Sequence, residues 1–356
     1  MAFNRPPSAL GRACLLVPLL ALGACNAGVN VSSTADMMDT VFGPRSAPMS
    51  PAFPVVAPPA PAAAAPGATP IPPALVGAGN QAMLLDLVHR AAYVTGGAPA
   101  NPPPGLNPTQ VAMAGAAMRE ALAAEVGQAR SLGPARQAML ISLAQGMAGY
   151  GHFVVRRPQF VLIVDRALHG QTMSLTLARP EGGWVILGTR PVSTGKPGRR
   201  EHFKTPVGVL LNDGSELGYR AQGTYNQNHI RGLGVKGMRV WDFGWQRSDD
   251  WRTPGATMEV RVEMHATDPS VLAQRLGTAD SEGCIRIPAA MNRFLDRHGI
   301  IDADIERLAR NDAGYRALLS PQLRPTPLAG DAVIVVDSSE PWAKPYPADP
   351  SVALGN

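Results

Sequence analysis

Five short apolar segments set the strongest limit on how this chain folds. Each is five to seven residues long, and glycine, proline, asparagine and aspartate stand between them. The segments are 160–165, 173–178, 184–189, 207–211 and 258–264. Runs of this length, bounded by turn residues, are typical of strands. They predict a β-sandwich or a barrel-like sheet. A helix from Pro288, a second helix over about 303–319 and a last strand over 332–336 are expected to follow.

The chain before these strands has a helical pattern. Asn107 is a candidate N-cap, Pro108 suits the first helical position, and Gly133 is a candidate C-terminal stop. Pro134 then opens a second helical run. We therefore expect an α+β protein, in which a small helical subdomain precedes a mainly β domain. The predicted order is a helical subdomain over 80–152, the mainly β domain over 153–340 and a tail over 341–356.

The first 24 residues have the pattern of an export signal. Arg5 and Arg12 precede and flank an apolar stretch, and small residues stand before Cys25. The apolar stretch is shorter than the roughly 20 residues of a membrane-spanning helix. The sequence LGAC over 22–25 resembles a bacterial lipoprotein lipobox. That resemblance implies lipid on Cys25 and a periplasmic protein anchored to a membrane, the outer in preference to the inner. An ordinary signal peptide is the alternative.

Proline, alanine and serine dominate the region 25–79 that follows the signal. Frequent proline favours extended polyproline II and prevents helices. We expect this region to be a semi-rigid linker that holds the folded part away from the membrane.

Composition excludes several classes of partner. The formal net charge is +5 without long runs of lysine or arginine, which argues against a nucleic-acid partner. Cysteines and histidines are not spaced as zinc ligands, so we expect no metal and no other cofactor. The expected protein is a monomer.

Cys284 is the candidate nucleophile. If the signal is removed and Cys25 carries lipid, Cys284 is the one remaining unmodified thiol of the three cysteines. It follows the flexible sequence DSEG instead of lying inside an apolar run. A free thiol in an exported protein is a candidate reactive group, but a thiol with a pKa of about 8.5 needs a base or a positive neighbour to act as a nucleophile.

His265 is the candidate base. It ends a stretch that alternates strictly, in which Met258, Val260, Val262 and Met264 share one face. The other face carries Glu259, Arg261, Glu263 and His265. His265 is therefore expected at a strand end on the side away from the core. From the residues alone, an ordinary surface histidine is the alternative.

Two blocks of sequence resemble the L,D-transpeptidases. MHATDPSVLAQRLGTADSEGCIRI over 264–287 is similar to that family's active-site segment: a histidine, about fifteen residues, then Ser/Thr-His-Gly-Cys, an apolar residue and Arg or Asn. RPVSTGKPGRREHFKTPVGVL over 190–210 is similar to its strand, Ser-Thr-Gly turn and Thr-Pro-x-Gly. The resemblance covers about 158–299 and the closing strand, and implies a β-sandwich with flanking helices.

Two residues depart from the family pattern. Glu282 stands where the family has a histidine, and Ala266 follows the candidate base in place of the frequent glycine or serine. A carboxylate close to the thiol would raise its pKa. The departures suggest a branch with an altered preference for donor or acceptor.

The resemblance implies a role for each residue of the segment. Cys284 would be the nucleophile and His265 its general base. Backbone N–H groups of Glu282, Gly283 and Cys284 would form the oxyanion hole, where each donor is typically worth about 3 to 4 kcal/mol.

Two neighbours would assist. Ser281 would support the loop. Arg286 shares a face with Cys284 and is suited to hold a substrate carboxylate bidentately, with a solvated strand arginine as the alternative.

The implied activity is peptidoglycan crosslinking. A cysteine acyl-enzyme would form on a donor peptide stem with release of D-Ala and pass the acyl group to an acceptor stem, giving a 3-3 or a 1-3 link. Two alternatives remain: an L,D-carboxypeptidase, and a non-catalytic lipoprotein that binds the cell wall.

An aromatic segment lies between the two blocks. Residues 212–257 contain Tyr225, His229, Trp241, Trp245 and Trp251 among glycine and asparagine. Long loops are often lids or binding elements. We expect a loop whose Tyr225, Trp241 and Trp245 contact substrate, and the alternative is that the tryptophans pack into a small core of their own.

Overall fold

The computed structural model describes residues 105–127 and 130–341. In this part the fold is mixed α/β, mainly strands, with two sheets and five α-helices. The helices are α1 Pro108–Val126, α2 Pro134–Tyr150, α3 Ala289–His298, α4 Ala303–Leu308 and α5 Ala313–Leu318. The strands are β1 Gln159–Asp165, β2 Thr172–Ala178, β3 Val185–Pro191, β4 Gly208–Leu211, β5 Tyr219–Arg220, β6 Arg239–Asp249, β7 Thr257–Ala266, β8 Ile285–Ile287 and β9 Ala332–Val336.

Several predictions concern the rest of the chain. The export signal, lipidation at Cys25, the linker, residues 80–104 of the helical subdomain and the tail from 342 lie outside the described residues. Among the described helices, none combines the length and the apolar character that crossing a membrane requires.

The first sheet has the strand order β3-β2-β1-β9-β4 and is covered on both faces. Phe160, Leu162 and Val164 of β1 point into a core shared with α1 and the second sheet. Val161 and Ile163 point the other way, into a core shared with α2. Because both faces are buried, the strands read as nearly continuous apolar runs, which is why their positions could be predicted.

The second sheet has the order β5-β6-β7-β8, with β6 antiparallel and β8 parallel to β7. Val260, Val262 and Met264 of β7 lie in the core. Glu263 and His265 alternate with them along the strand and are not part of that core, as the alternation predicts, although both side chains are buried. Their face of β7 carries the candidate site.

Helix α1 is fixed at both ends. The Asn107 side chain accepts from the Gln110 N–H, and the Gln110 side chain accepts from the Asn107 N–H, each at 2.9 Å. At the other end, buried Arg190 of β3 donates to the carbonyls of Leu122, at 3.1 Å, and Gly127. The helix therefore ends before the predicted stop at Gly133, which instead precedes α2.

The two helices do not have a core of their own. Leu122 of α1 belongs to the core between the sheets, and Leu140 of α2 to the core on the outer face of the first sheet. Glu125, near the end of α1, pairs with Arg297 and His298 of α3 at 2.8 Å each. The predicted domain boundaries stay predictions, but α1 and α2 pack directly against the β-structure.

Two element predictions were wrong. The helix expected over 303–319 is divided into α4 and α5, because the Asp312 side chain accepts from the Gly314 N–H at 2.6 Å and caps a new helix. The segment 212–257 is not all loop, since it contains β5 and β6. A register shift between Asp242 and Trp245 interrupts the alternation of β6 and conceals it in the sequence.

Replacing Leu122 by alanine tests whether α1 is part of the main fold. Leu122 is 1% exposed and lies against Gly188 of β3. We expect the free energy of unfolding to fall by about 2 to 5 kcal/mol, with one transition seen by both circular dichroism and tryptophan fluorescence in urea. Arg119→Ala, on the exposed side of α1, should change it by less than about 0.5 kcal/mol. A helical signal that melts separately would contradict this arrangement.

Candidate active site

Cys284, His265 and Arg286 come together at the paired strands β7 and β8. The parallel register places His265 opposite Arg286 and Met264 opposite Ile285. Cys284 directly precedes β8, two residues before Arg286, and is partly exposed beside Glu263. A lid or binding partner is not needed to bring these residues together, because the backbone pairing already does so.

The His265 ring is oriented by a backbone carbonyl. Its Nδ1 lies 2.7 Å from the carbonyl oxygen of Ala266, which can only accept, so Nδ1 carries the proton and Nε2 has the lone pair. The departure at Ala266 therefore leaves this contact intact, since it uses the backbone. Burial, with the charge of Arg286 adding to it, lowers the pKa of His265 to about 4. His265 is thus a neutral base at physiological pH.

The thiol is held in its protonated form. Burial, followed by the charges of Glu263 and Glu282, raises the pKa of Cys284 to about 12, while a hydrogen bond from the Glu263 backbone and the charge of Arg286 act in the other direction. Among the described residues no hydrogen bond joins the thiol to the His265 ring. The resting site is therefore a thiol and a neutral imidazole, and the thiol would have to lose its proton to act as a nucleophile.

Glu263 is the residue that sequence reasoning missed. It is 4% exposed and accepts a hydrogen bond from the Tyr219 hydroxyl to Oε1 at 2.9 Å. Its effect on the thiol pKa exceeds that of Glu282. The sequence does contain an indication of this position. Glu263 lies two residues before His265, so both side chains lie on the same face of the strand.

The loop before β8 is held by a neighbouring segment through three successive carbonyls. Each accepts a hydrogen bond from the chain between Lys196 and Thr205. The pairs are Ser281 O with Lys196 N at 3.0 Å, Glu282 O with Phe203 N at 3.1 Å and Gly283 O with Thr205 Oγ1 at 2.7 Å. The two sequence blocks that resemble the L,D-transpeptidases therefore meet at the cysteine.

Ser281 supports the loop and corrects the predicted oxyanion hole. Its hydroxyl donates to the Cys284 carbonyl at 2.6 Å and accepts from the Gly283 N–H at 3.2 Å. The Gly283 N–H is thereby used inside the loop and is not a donor for an oxyanion. The candidate donors that remain are the N–H groups of Glu282 and Cys284.

Arg286 already has a partner. Its Nη1 donates to the Asp280 carbonyl at 2.9 Å and lies 3.6 Å from the Asp280 carboxylate. The Arg286 guanidinium is therefore neither freely solvated nor unpaired. A substrate carboxylate at this site would share Arg286 with Asp280.

The three predicted aromatic contacts separate into two groups. The prediction that Trp241 contacts substrate was wrong. Trp241 is 0% exposed and lies in the core on the face opposite His265, and its Nε1 donates to Asp302 at 3.1 Å. Trp245 is 59% exposed, beside Arg261 on the polar face. Tyr225 is 53% exposed under the guanidinium of Arg231. Trp245 and Tyr225 keep their place as candidate substrate contacts.

The described ranges contain no group of three or more histidine, cysteine, aspartate or glutamate side chains arranged to hold a metal ion. Charged side chains on the polar face of β7 are engaged in ion pairs. Arg261, for example, lies 2.7 Å from Asp242 and 3.3 Å from Glu216.

Replacing Glu263 by glutamine should lower the pKa of Cys284, because the change removes the larger of the two negative charges acting on the thiol. At a fixed pH below that pKa, each unit of lowering raises the thiolate fraction, and hence alkylation, about tenfold. The measurement is the pH dependence of iodoacetamide alkylation at Cys284, mapped by peptide mass. Glu282→Gln is the matched control and should give a smaller shift in the same direction. An unchanged profile for Glu263→Gln would refute this electrostatic account.

Two comparisons with known proteins gave no match. A scan against models of protein families found none that fits the chain, and a search of curated proteins also found no match. A proposal about function therefore depends on the residues of the site, their geometry and the resemblance of the two sequence blocks.

Proposed function

We propose that the chain is a cysteine acyltransferase that crosslinks peptidoglycan as an L,D-transpeptidase. The observation that carries the proposal is the β7–β8 register. In that register His265 pairs with Arg286, two residues beyond the partly exposed thiol of Cys284, and the Nδ1 of the buried neutral imidazole is fixed by the Ala266 carbonyl. A nucleophile, a base and a group that orients the base are the parts that acyl transfer requires.

In the acylation step, His265 Nε2 takes the thiol proton as the Cys284 sulfur attacks the substrate carbonyl. The Cys284 N–H, with that of Glu282, donates to the oxyanion that forms. The Ala266 carbonyl stabilises the imidazolium, which then gives its proton to the leaving amine. The thioester that remains is attacked by an acceptor amine, and the thiol is regenerated.

The substrate class follows from the resemblance to the L,D-transpeptidases. The donor would be a tetrapeptide stem that loses D-Ala, and the acceptor the side-chain amine of a second stem or the N-terminal amine of its L-Ala. Arg286, shared with Asp280, would hold a carboxylate of the stem. Export, lipidation at Cys25 and a periplasmic location belong to the same proposal.

The direct test incubates the purified full-length chain with disaccharide tetrapeptides and follows the products by mass spectrometry. Crosslinked dimers with loss of D-Ala are expected, and Cys284→Ala should form none. Fragmentation of the dimer separates a 3-3 from a 1-3 link. Tripeptides alone would overturn transfer in favour of an L,D-carboxypeptidase. Unchanged substrate would overturn both and favour a wall-binding lipoprotein.

The pH profile tests the roles of thiol and imidazole. With a His265 pKa of about 4 and a Cys284 pKa of about 12, the active form, neutral base and protonated thiol, is present between those values. We expect kcat/KM for acylation to fall only as the pH approaches about 4, because kcat/KM reports groups of the free enzyme. Glu282→Gln should leave the acid limb unchanged. An acid limb near an ordinary histidine pKa of about 6.5, or a loss of activity above about pH 8, would contradict the assignment.

A further inference from the structure

The Thr205 hydroxyl lies where two segments of the candidate site meet. It accepts a hydrogen bond from the Gly195 N–H at 2.9 Å and donates to the Gly283 carbonyl at 2.7 Å. The residue is 0% exposed. One buried hydroxyl therefore connects the Ser-Thr-Gly turn to the cysteine loop.

This bond determines the direction of the Cys284 N–H. The Gly283 carbonyl and the Cys284 N–H belong to one planar, trans peptide unit, so they point in opposite directions. Fixing the carbonyl on Thr205 therefore aims the N–H away from Thr205. Gly283 has φ +144°, a conformation open mainly to glycine, so its own backbone does little to stop this peptide unit from rotating.

Thr205 is itself held firmly. Its carbonyl accepts from Arg166 Nη1 at 2.6 Å, and Arg166 pairs with Asp337 at 3.0 Å in a buried ion pair. The turn on the other side is equally constrained, because a Cβ on Gly195 would lie 1.9 Å from the Phe203 carbonyl oxygen. The Thr205 hydroxyl is thus held in place by its surroundings, and its hydrogen bond holds the flexible Gly283 peptide unit.

We propose that Thr205 is a positioning residue that aims the Cys284 N–H at the oxyanion formed during acylation. The inference rests on the proposed acyl transfer at Cys284, and it deepens that proposal by naming what orients the donor. Thr205 contacts no reacting atom. Its contribution is confined to reactions that pass through a tetrahedral oxyanion.

Two reactions of the same thiol separate this role from a general structural one. With p-nitrophenyl acetate, the sulfur attacks the carbonyl, an oxyanion forms, p-nitrophenolate leaves and a thioester remains. With iodoacetamide, the sulfur displaces iodide at a saturated carbon and no oxyanion forms. Both rates at Cys284 are followed by peptide mass on the full-length chain. Their ratio depends on the oxyanion donor, because the reactivity of the thiol itself affects both rates.

Thr205→Val keeps the shape of the side chain and removes the hydroxyl. We expect the ratio of the acylation rate to the alkylation rate to fall about tenfold to a hundredfold. The fall should not exceed the rate loss that follows removal of a whole oxyanion donor. Thr205→Ser keeps the hydroxyl and should stay within about threefold of the unsubstituted chain. If thermal unfolding shows that Thr205→Val does not fold, Thr205→Ala provides the same comparison.

Three results would overturn the inference. They are an unchanged ratio in both hydroxyl-free variants, an equal fall of both rates, and a chain that is alkylated but not acylated by the ester even without substitution. Because the ester is not a peptidoglycan stem, failure of the proposed function can be distinguished from failure of the Thr205 inference. A Thr205-dependent ratio in a chain that leaves tetrapeptides untouched keeps the inference and discards the substrate.

Discussion

The parallel pairing of β7 with β8 is the constraint on which the rest of the site depends. Val262 and Met264 of β7 and Ile285 and Ile287 of β8 are fully buried on the core side. Sliding one strand by a single residue would expose these side chains and turn Cys284 toward the core. The apolar face therefore fixes the alignment of the polar face that carries the candidate site.

The same burial sets the charge state of the site. A neutral thiol and a neutral imidazole are cheaper to bury than a thiolate and an imidazolium, because each isolated charge loses its hydration. In the proposed mechanism, charge separation would therefore occur only when a substrate carbonyl is present to receive the sulfur. The Ala266 carbonyl already contacts His265 Nδ1, so the proposed proton transfer would need little reorganisation of the imidazole.

Local patterns in the sequence predicted the parts of the fold in which apolar residues recur at the regular spacing of a strand or in which capping residues mark a helix end. The alternation that ends at His265 assigned the two faces of β7 correctly, and the capping residues placed the start of α1. The failures share a cause. Trp241 was misassigned because a bulge and Gly244, at φ +70°, interrupt the period of β6. The hydrogen bonds of Thr205 join residues up to 78 positions apart, and no local pattern encodes such a contact.

The high pKa of Cys284 has a consequence outside acyl transfer. Oxidation to sulfenic acid and exchange with disulfides both proceed through the thiolate. With its pKa raised to about 12, Cys284 carries very little thiolate near pH 7. Burial of the thiol, with the carboxylate of Glu263 adding to it, therefore disfavours oxidation and disulfide exchange at Cys284 as well as attack by the free thiolate.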